Sequence, residues 1–267
     1  MDYNEIERVY RQRFEGARRL VQNEDNQWLY LLKQMPATRE VCILDAGCGD
    51  GAYALKLAHE GYPHVQAIDL FDRLETEQAF IYTRASIDAT PFLEGYFDLI
   101  YSFSVIFYLQ DPVAGLKEFY RILRPGGILV LSMHTKYSLF TLDRIVRRAL
   151  GRAEHLNGVR FYSAGAYKDM LQCAGFKVMD VDGFGLFYSP RNVINRICHK
   201  LGGRFHGPDT GLAPFSAWRK MMKWFRATTG YHMLIAARKP GEDATHSQPV
   251  NAGLRTGAPP DVSDVIR

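Results

Sequence analysis

Cysteine is scarce and scattered in this 267-residue chain. Its four cysteines, Cys42, Cys48, Cys173 and Cys198, form no CxxC pair, which argues against a zinc site or a disulfide framework. No metal is expected. Long apolar runs are missing as well, since no stretch approaches the roughly 20 residues of a membrane span. The first segment, MDYNEIERVYRQRFEGARRL, is charged throughout and lacks the apolar core of a signal peptide. Nor does one sign of charge dominate: 33 Lys and Arg against 29 Asp and Glu leave a net +4, so nucleic acid is not expected as a partner. There is no internal repeat. The apolar share, 47%, is that of an ordinary globular protein, and the length suits one α/β domain with insertions. A cytoplasmic location is expected, and the sequence sets no oligomeric state.

Short apolar runs alternate with amphipathic stretches. VCILDAG, HVQAIDL, AFIYTRAS, FDLIYSFSV and ILVLSMH read as five strands, and FKVMDVD and YHMLIAARK as two more. Helices are predicted over Tyr3–Phe14, Asn26–Met35, Gly51–His59, from Asp111 to about Leu123, and over Ser163–Ala174. Asp111-Pro112 is a start signal, an aspartate cap before a proline in the first turn, and RPGG breaks that helix before the fifth strand. This alternation implies βαβ units: a Rossmann-like three-layer α/β sandwich with a mainly parallel sheet and an antiparallel last strand. Residues 1–239 read as a single domain, with an N-terminal helical cap over 1–36 and helical insertions over 136–158 and 184–229. The remainder, 240–267, rich in Gly, Pro, Ala, Asp and Thr, reads as a disordered tail.

The loop Asp45-Ala46-Gly47-Cys48-Gly49-Asp50-Gly51 lies between the first strand and its helix. Its glycines permit positive φ and let a ligand approach the backbone. Gly47, Gly49 and Ala52 fit G-x-G-x-x-A with Asp69 about 20 residues on, so a dinucleotide has to be weighed. Asp45 argues against it. A carboxylate at the mouth of the loop repels a pyrophosphate, whereas S-adenosylmethionine brings an ammonium and a sulfonium and no phosphate. Asp69, ending the second strand, can accept hydrogen bonds from both ribose hydroxyls. In the bland alternative, Asp45 and Asp50 merely cap the helix.

With ILDAGCGDGAYALKLA, VQAIDL, TPFLEGYFDLIYSFSV, LQDPVAGLKEFYRILRPGGILVLS and LQCAGFKV in this order and spacing, the run from Cys42 to Leu131 resembles the class I methyltransferases, particularly those acting on small molecules and quinones. The resemblance implies S-adenosylmethionine as cofactor, with Asp45, Gly47 and Gly49 around its methionine part and Asp69 on its ribose. It also implies that the Phe103 carbonyl faces the ammonium. An acidic residue that contacts the adenine amino group is expected six positions before the phenylalanine of the PF pair. Here that position is Ser86, so Ser86 with the backbone of Ile87, or Asp88 from nearby, stands in. Where the family often carries an acid-histidine or His-His pair, this chain has Phe107-Tyr108, which removes an imidazole base from that spot.

A methyl sulfonium is already activated, so holding the reactants in line and excluding water can lower the barrier by roughly 7–11 kcal/mol. A general base adds about 10²–10⁴-fold, most usefully for an alcohol. His134, directly after ILVLSM, falls at the carboxyl edge of the sheet and is the base candidate, with Tyr108 and Tyr101 behind it; His155 lies in an insertion. The acceptor pocket is expected from the N-terminal helix and the insertions. In the first insertion, Phe140, Leu142, Ile145, Val146, Ala149 and Leu150 can line faces opposite Arg147, Arg148 and Arg152. Over Lys136–Lys239 basic residues outnumber acidic ones about three to one. The expected acceptor is a small or lipid-linked molecule, methylated at oxygen, with peripheral contact to an anionic membrane as a further expectation. A nicotinamide oxidoreductase and a non-catalytic cofactor-binding subunit are the rivals.

Overall fold

The computed structural model describes residues 21, 25–71, 79–151, 160–184, 227–230 and 232–241. The helix expected at Tyr3–Phe14, His155, most of the second insertion and nearly all of the tail lie outside them. Seven strands form one sheet in the order β3-β2-β1-β4-β5-β7-β6. They are β1 (Ile43–Ala46), β2 (Val65–Asp69), β3 (Ile81–Arg84), β4 (Phe97–Phe103), β5 (Leu123–His134), β6 (Lys177–Phe184) and β7 (His232–Arg238). β1 to β5 pair in parallel, and β7 runs antiparallel between β5 and β6. The helices are α1 (Asn26–Leu32), α2 (Ala52–His59), α3 (Pro112–Ile122), α4 (Leu139–Ala149) and α5 (Ala164–Cys173), with a 3₁₀ turn at Ile106–Tyr108.

β1 is buried on both faces, and β4 nearly so, as a central parallel strand must be when helices cover both sides. Alternate residues feed two cores. Leu44, Ile100, Leu129 and Leu131 pack with Phe119 of α3 and Leu171 of α5. Ile43, Leu99, Tyr101, Val130 and Leu234 pack with Trp28 and Leu31 of α1 and Leu57 of α2. Each fully buried Leu, Ile or Phe contributes about 1.5–3 kcal/mol. The three-layer sandwich with its antiparallel last strand is therefore the architecture read from the sequence.

Local signals also translate. The Asp111 carboxylate accepts from the backbone of Val113 and Ala114 at 2.9 and 3.3 Å, with Pro112 in the first turn. Asp25 caps α1 in the same way through Gln27 and Trp28. The RPGG segment ends α3 as expected but does not stand outside the next strand. β5 runs through it from Leu123, with a register shift against β4 and Gly126 at φ 77°. The segment stays in the sheet because Gly126 donates to the Lys239 carbonyl and Lys239 to the Gly127 carbonyl, prolonging the ladder with β7.

Lys239 also closes α3. Its buried ammonium donates to the carbonyls of Tyr120 and Leu123, both at 2.8 Å, and lies 4.6 Å from the centre of the Tyr120 ring. Burial lowers its pKa. In α4 the outcome is different: Leu142, Ile145, Val146 and Leu150 are exposed, so the apolar face of the first insertion points outward.

Lys239→Met should leave two helix-end carbonyls unpaired and cost about 1–3 kcal/mol in chemical denaturation. An unchanged midpoint would remove the capping role.

Candidate functional site

β1 delivers its last residues into the glycine loop at the carboxyl edge of the sheet. Gly47, Gly49 and Gly51 all take positive φ, at 81°, 60° and 70°. Gly47 and Cys48 donate to the Ile68 carbonyl at 2.8 and 3.0 Å, which ties the loop to β2. A Cβ on Gly47 would overlap the Val105 side chain, just beyond β4, so the loop and the end of β4 can approach only with glycine there. Asp50, just before the N-cap Gly51, accepts from Ala52 at the start of α2 at 3.1 Å.

Asp45 lies deeper, where a backbone hydrogen bond from Ala54 in the first turn of α2 also acts on its carboxyl. Its carboxyl is 3% exposed, and its Oδ2 has no hydrogen-bond partner. Burial pushes it up to about 8, with Asp69 and Asp50 adding their repulsion and the neighbouring Tyr101 opposing. Tyr101 stands beside it in register on β4, fully buried and raised well above the usual phenol range by the same burial. Tyr101 is therefore part of the floor of the loop, not a hydroxyl at a rim.

Asp69 is already engaged. Its Oδ2 accepts from Gly49 at 2.9 Å and its Oδ1 from Leu70 at 2.8 Å. Oδ1 also accepts from Phe71 at 3.4 Å, so the carboxylate shapes the loop and the chain that leaves β2. Ser86 and Ile87 follow β3. The Ser86 hydroxyl donates to the Asp88 carboxylate, Ile87 is buried in the core, and Asp88 is exposed. Ser86 and Asp88 are therefore one hydrogen-bonded unit in place of the single acid that the sequence pattern leads one to expect.

Strand alternation places the remaining candidates. Asp45, Tyr101 and Val130 occupy one row across β1, β4 and β5, and Phe103 pairs with Ser132 one pleat higher. His134 stands one pleat above Ser132 on that same face, beside the end of β4. The Phe103 ring packs 5.0 Å from Tyr53, of the first turn of α2, and 5.2 Å from Tyr101. Ser104, which follows, is in the left-handed region at φ 64°, the one non-glycine residue with positive φ among those described. Non-glycine residues held there tend to cluster at functional sites. Tyr108, on the 3₁₀ turn, packs 4.7 Å from Phe107, and Phe107 lies 5.1 Å from the His134 ring. The structure thus gathers Asp45, Gly47, Gly49, Asp69 and Phe103 about the loop, and His134 and Tyr108 about the end of β5.

Several residues at this edge escaped the sequence reading. Gln27 donates to the Ser132 hydroxyl at 2.7 Å, and Tyr53 donates to Gln27 Oε1 at 2.8 Å, with Asp25 Oδ1 2.9 Å away. Ser132 is also 3.0 Å from His232 Nδ1. Only the antiparallel register of β7 brings His232 here; the histidine opening YHMLIAARK was the available signal. Among the described residues, no group of three or more His, Cys, Asp or Glu could hold a metal ion.

The donor set suits a cation. Asp45 offers a buried unpartnered oxygen, and Asp50 and Asp69 add negative charge. An ammonium-bearing, ribose-bearing ligand such as S-adenosylmethionine fits these residues, whereas a pyrophosphate would meet three carboxyl groups.

Residues 11–181 match the family model described as a methyltransferase domain. The malonyl-[acyl-carrier protein] O-methyltransferase of Enterobacter lignolyticus is 34% identical over 146 residues, covering 53% of this chain and 57% of that protein. The protein of the same name from Laribacter hongkongensis is 27% identical over 215 residues, covering 72% and 70%. Matches to the first relatives span about half of their length. A crystal structure of a SAM-dependent methyltransferase from Thermotoga maritima superposes with a TM-score of 0.56 at 16% identity, covering 80% of this chain and 87% of that one; at such identity it speaks for the fold.

The raised Asp45 carboxyl has a consequence for stability. Between its ordinary value of 3.8 and about 8 the folded protein holds a proton that the unfolded chain has lost, so stability falls as pH rises across that window. Thermal midpoints of the ligand-free protein should show this decline, and Asp45→Asn should flatten it. Parallel curves for the two proteins would contradict the assignment.

Proposed function

The chain belongs to the methyltransferase-domain family, and from that membership we propose that it transfers a methyl group from S-adenosylmethionine to an oxygen of a small or lipid-linked acceptor. The observation that carries this reading is the buried, unpartnered Asp45 oxygen beneath the glycine loop. The names of the relatives, O-methyltransferases acting on a carrier-bound acid, support oxygen as the accepting atom.

In this reading Asp45 faces the cofactor's ammonium, Gly47 and Gly49 let it lie against the backbone, and the Phe103 carbonyl adds an acceptor. Asp69 holds the ribose, and Ser86 with the backbone of Ile87 lies at the adenine end. Bound there, S-adenosylmethionine would supply an activated methyl group to the acceptor oxygen and leave as the neutral thioether. The protein's part is alignment and exclusion of water. Phe107, Phe161 and Phe103 make that end of the site apolar. His134 takes the proton of a hydroxyl acceptor, and Tyr108 orients the acceptor from the 3₁₀ turn.

The exposed apolar face of α4 bears on the acceptor. Four residues separate β5 from α4, which is anchored there: Thr141 Oγ1 donates to the Thr135 carbonyl at 2.5 Å, and Ser138 Oγ accepts from the Thr141 backbone at 3.1 Å. Beyond that anchor, Leu142, Ile145, Val146 and Leu150 face outward, with Arg147 and Arg148 on the opposite side. A helix of this composition can lie in the headgroup region of an anionic bilayer and bring the pocket to a lipid-linked acceptor. Among the described residues no helix is long and apolar enough to cross a membrane, so the contact would be peripheral.

Calorimetry with S-adenosylmethionine should show binding that Asp45→Asn and Asp69→Ala each weaken at least about tenfold, a loss of about 1.4 kcal/mol. Isotopic methyl transfer to fractionated extract should identify the acceptor. His134→Ala should then lower turnover about 10²-fold with cofactor affinity unchanged; wild-type turnover would end its candidacy. The protein should co-sediment with phosphatidylglycerol vesicles and not with phosphatidylcholine vesicles, and Ile145→Glu with Val146→Glu should abolish this. Equal binding by the double variant would remove α4 from the contact.

A further inference from the structure

β3 and β4 run parallel but are not neighbours, so the chain must pass β2 and β1 on its way from one to the other. Such a crossover is usually made by a helix. Here twelve residues, 85–96, make it without one. The segment opens against the donor side of the site. Ala85 donates to the Asp69 carbonyl at 3.0 Å, and Ser86 and Ala89 pair across the turn that carries Ile87 and Asp88. The turn read as the adenine end thus hangs directly from the residue read as the ribose partner.

With no helix of its own, the crossover is gripped by α3. Thr90, the residue after the turn, donates to Glu118 Oε1 through its N–H at 3.0 Å and through its hydroxyl at 2.5 Å. Arg121, one helical turn on, donates to the same carboxylate from Nε at 2.8 Å and from Nη2 at 2.6 Å. Its Nη2 also donates to the Phe92 carbonyl at 2.8 Å, and Gly95 donates to the Arg121 carbonyl at 3.0 Å. The Glu118 side chain is largely buried and that of Arg121 half-exposed. Burial by itself would push the Glu118 carboxyl up, but the bonds from Arg121 and Thr90 outweigh it and hold the group below its ordinary value. Charge-assisted, two-pronged bonds of this kind fix geometry as well as contribute energy.

We propose that Glu118, braced by Arg121, is a positioning residue for the cofactor: it sets the turn Ser86–Ala89 so that the Ser86–Asp88 unit and the Ile87 backbone meet the amino edge of the adenine. Glu118 does not touch the ligand and acts through Thr90, next in the chain to Ala89. Ile87 sinks into the core that also holds Leu116 of α3, so the turn is fixed at two points, one apolar and one polar. The inference rests on the reading of this turn as the adenine end.

S-inosylhomocysteine is the probe, because it differs from S-adenosylhomocysteine only at the amino edge of the base. Calorimetry of the full chain with both ligands gives a preference, a ratio of two affinities that a general loosening of the fold would leave unchanged. The wild type should prefer the adenosyl ligand at least about tenfold. Glu118→Ala should lower that ratio below about threefold, with the affinity for the inosyl ligand held within about twofold. Glu118→Gln, which keeps an oxygen for Thr90, should restore most of the preference. If Glu118→Ala does not fold, Thr90→Val decides alone; it deletes the hydroxyl bond and should cut the ratio by about half or more. A ratio unchanged in the deciding variant overturns the proposal and leaves the adenine reading intact. A wild type that binds both ligands alike, or neither, overturns the adenine reading and the proposal with it.

Discussion

Burying a carboxyl beneath a glycine loop costs free energy, and for one oxygen of Asp45 no hydrogen bond offsets it. A cation seated against that oxygen would. The rest of the carboxyl edge closes around it: Gly47 lets Val105 approach from beyond β4, and Asp69 ties Gly49 to β2. Asp50 spends its charge on the start of α2. Two carboxylates thus make the loop, and one waits under it. The division of labour follows from burial, because Asp50 and Asp69 have amide donors and Asp45 Oδ2 has none.

Much of this was legible in the sequence for physical reasons. Buried parallel strands read as unbroken apolar runs, so β1 and β4 were plain, and Asp111-Pro112 marked its helix start. Side-chain direction was harder. The spacing of Leu142, Ile145, Val146 and Leu150 showed an apolar face on α4 but not that the face points outward, since periodicity carries no information about what lies opposite. RPGG read as a break, yet hydrogen bonds with Lys239, more than a hundred residues on, draw it into β5. Gln27 and His232 stood out too little for the same reason: each acquires meaning through a partner distant in sequence.

The site divides into two parts with different demands. The donor side, over β1, β2 and β4, rests on backbone geometry and a few carboxylates, and short motifs report such requirements well. The acceptor side, around the ends of β5 and β7, rests on packing among rings and one polar chain. No spacing rule records that arrangement. Fold likeness at 16% identity therefore says little about the acceptor, which depends on residues outside the shared pattern.

The position of β7 between β5 and β6 also orders events as the chain forms. β1 to β4 and the glycine loop are complete within the first 103 residues, whereas the Ser132–His232 contact closes across 100 residues of intervening chain. Closing so long a loop is entropically slow compared with local helix and strand formation. During synthesis the nascent chain can thus assemble the donor side well before its last strand arrives. An open groove between β5 and β6 would exist in that interval, edged by the unpaired backbone of β5. The final strand both completes the acceptor wall and seals an edge that would otherwise invite pairing with another chain.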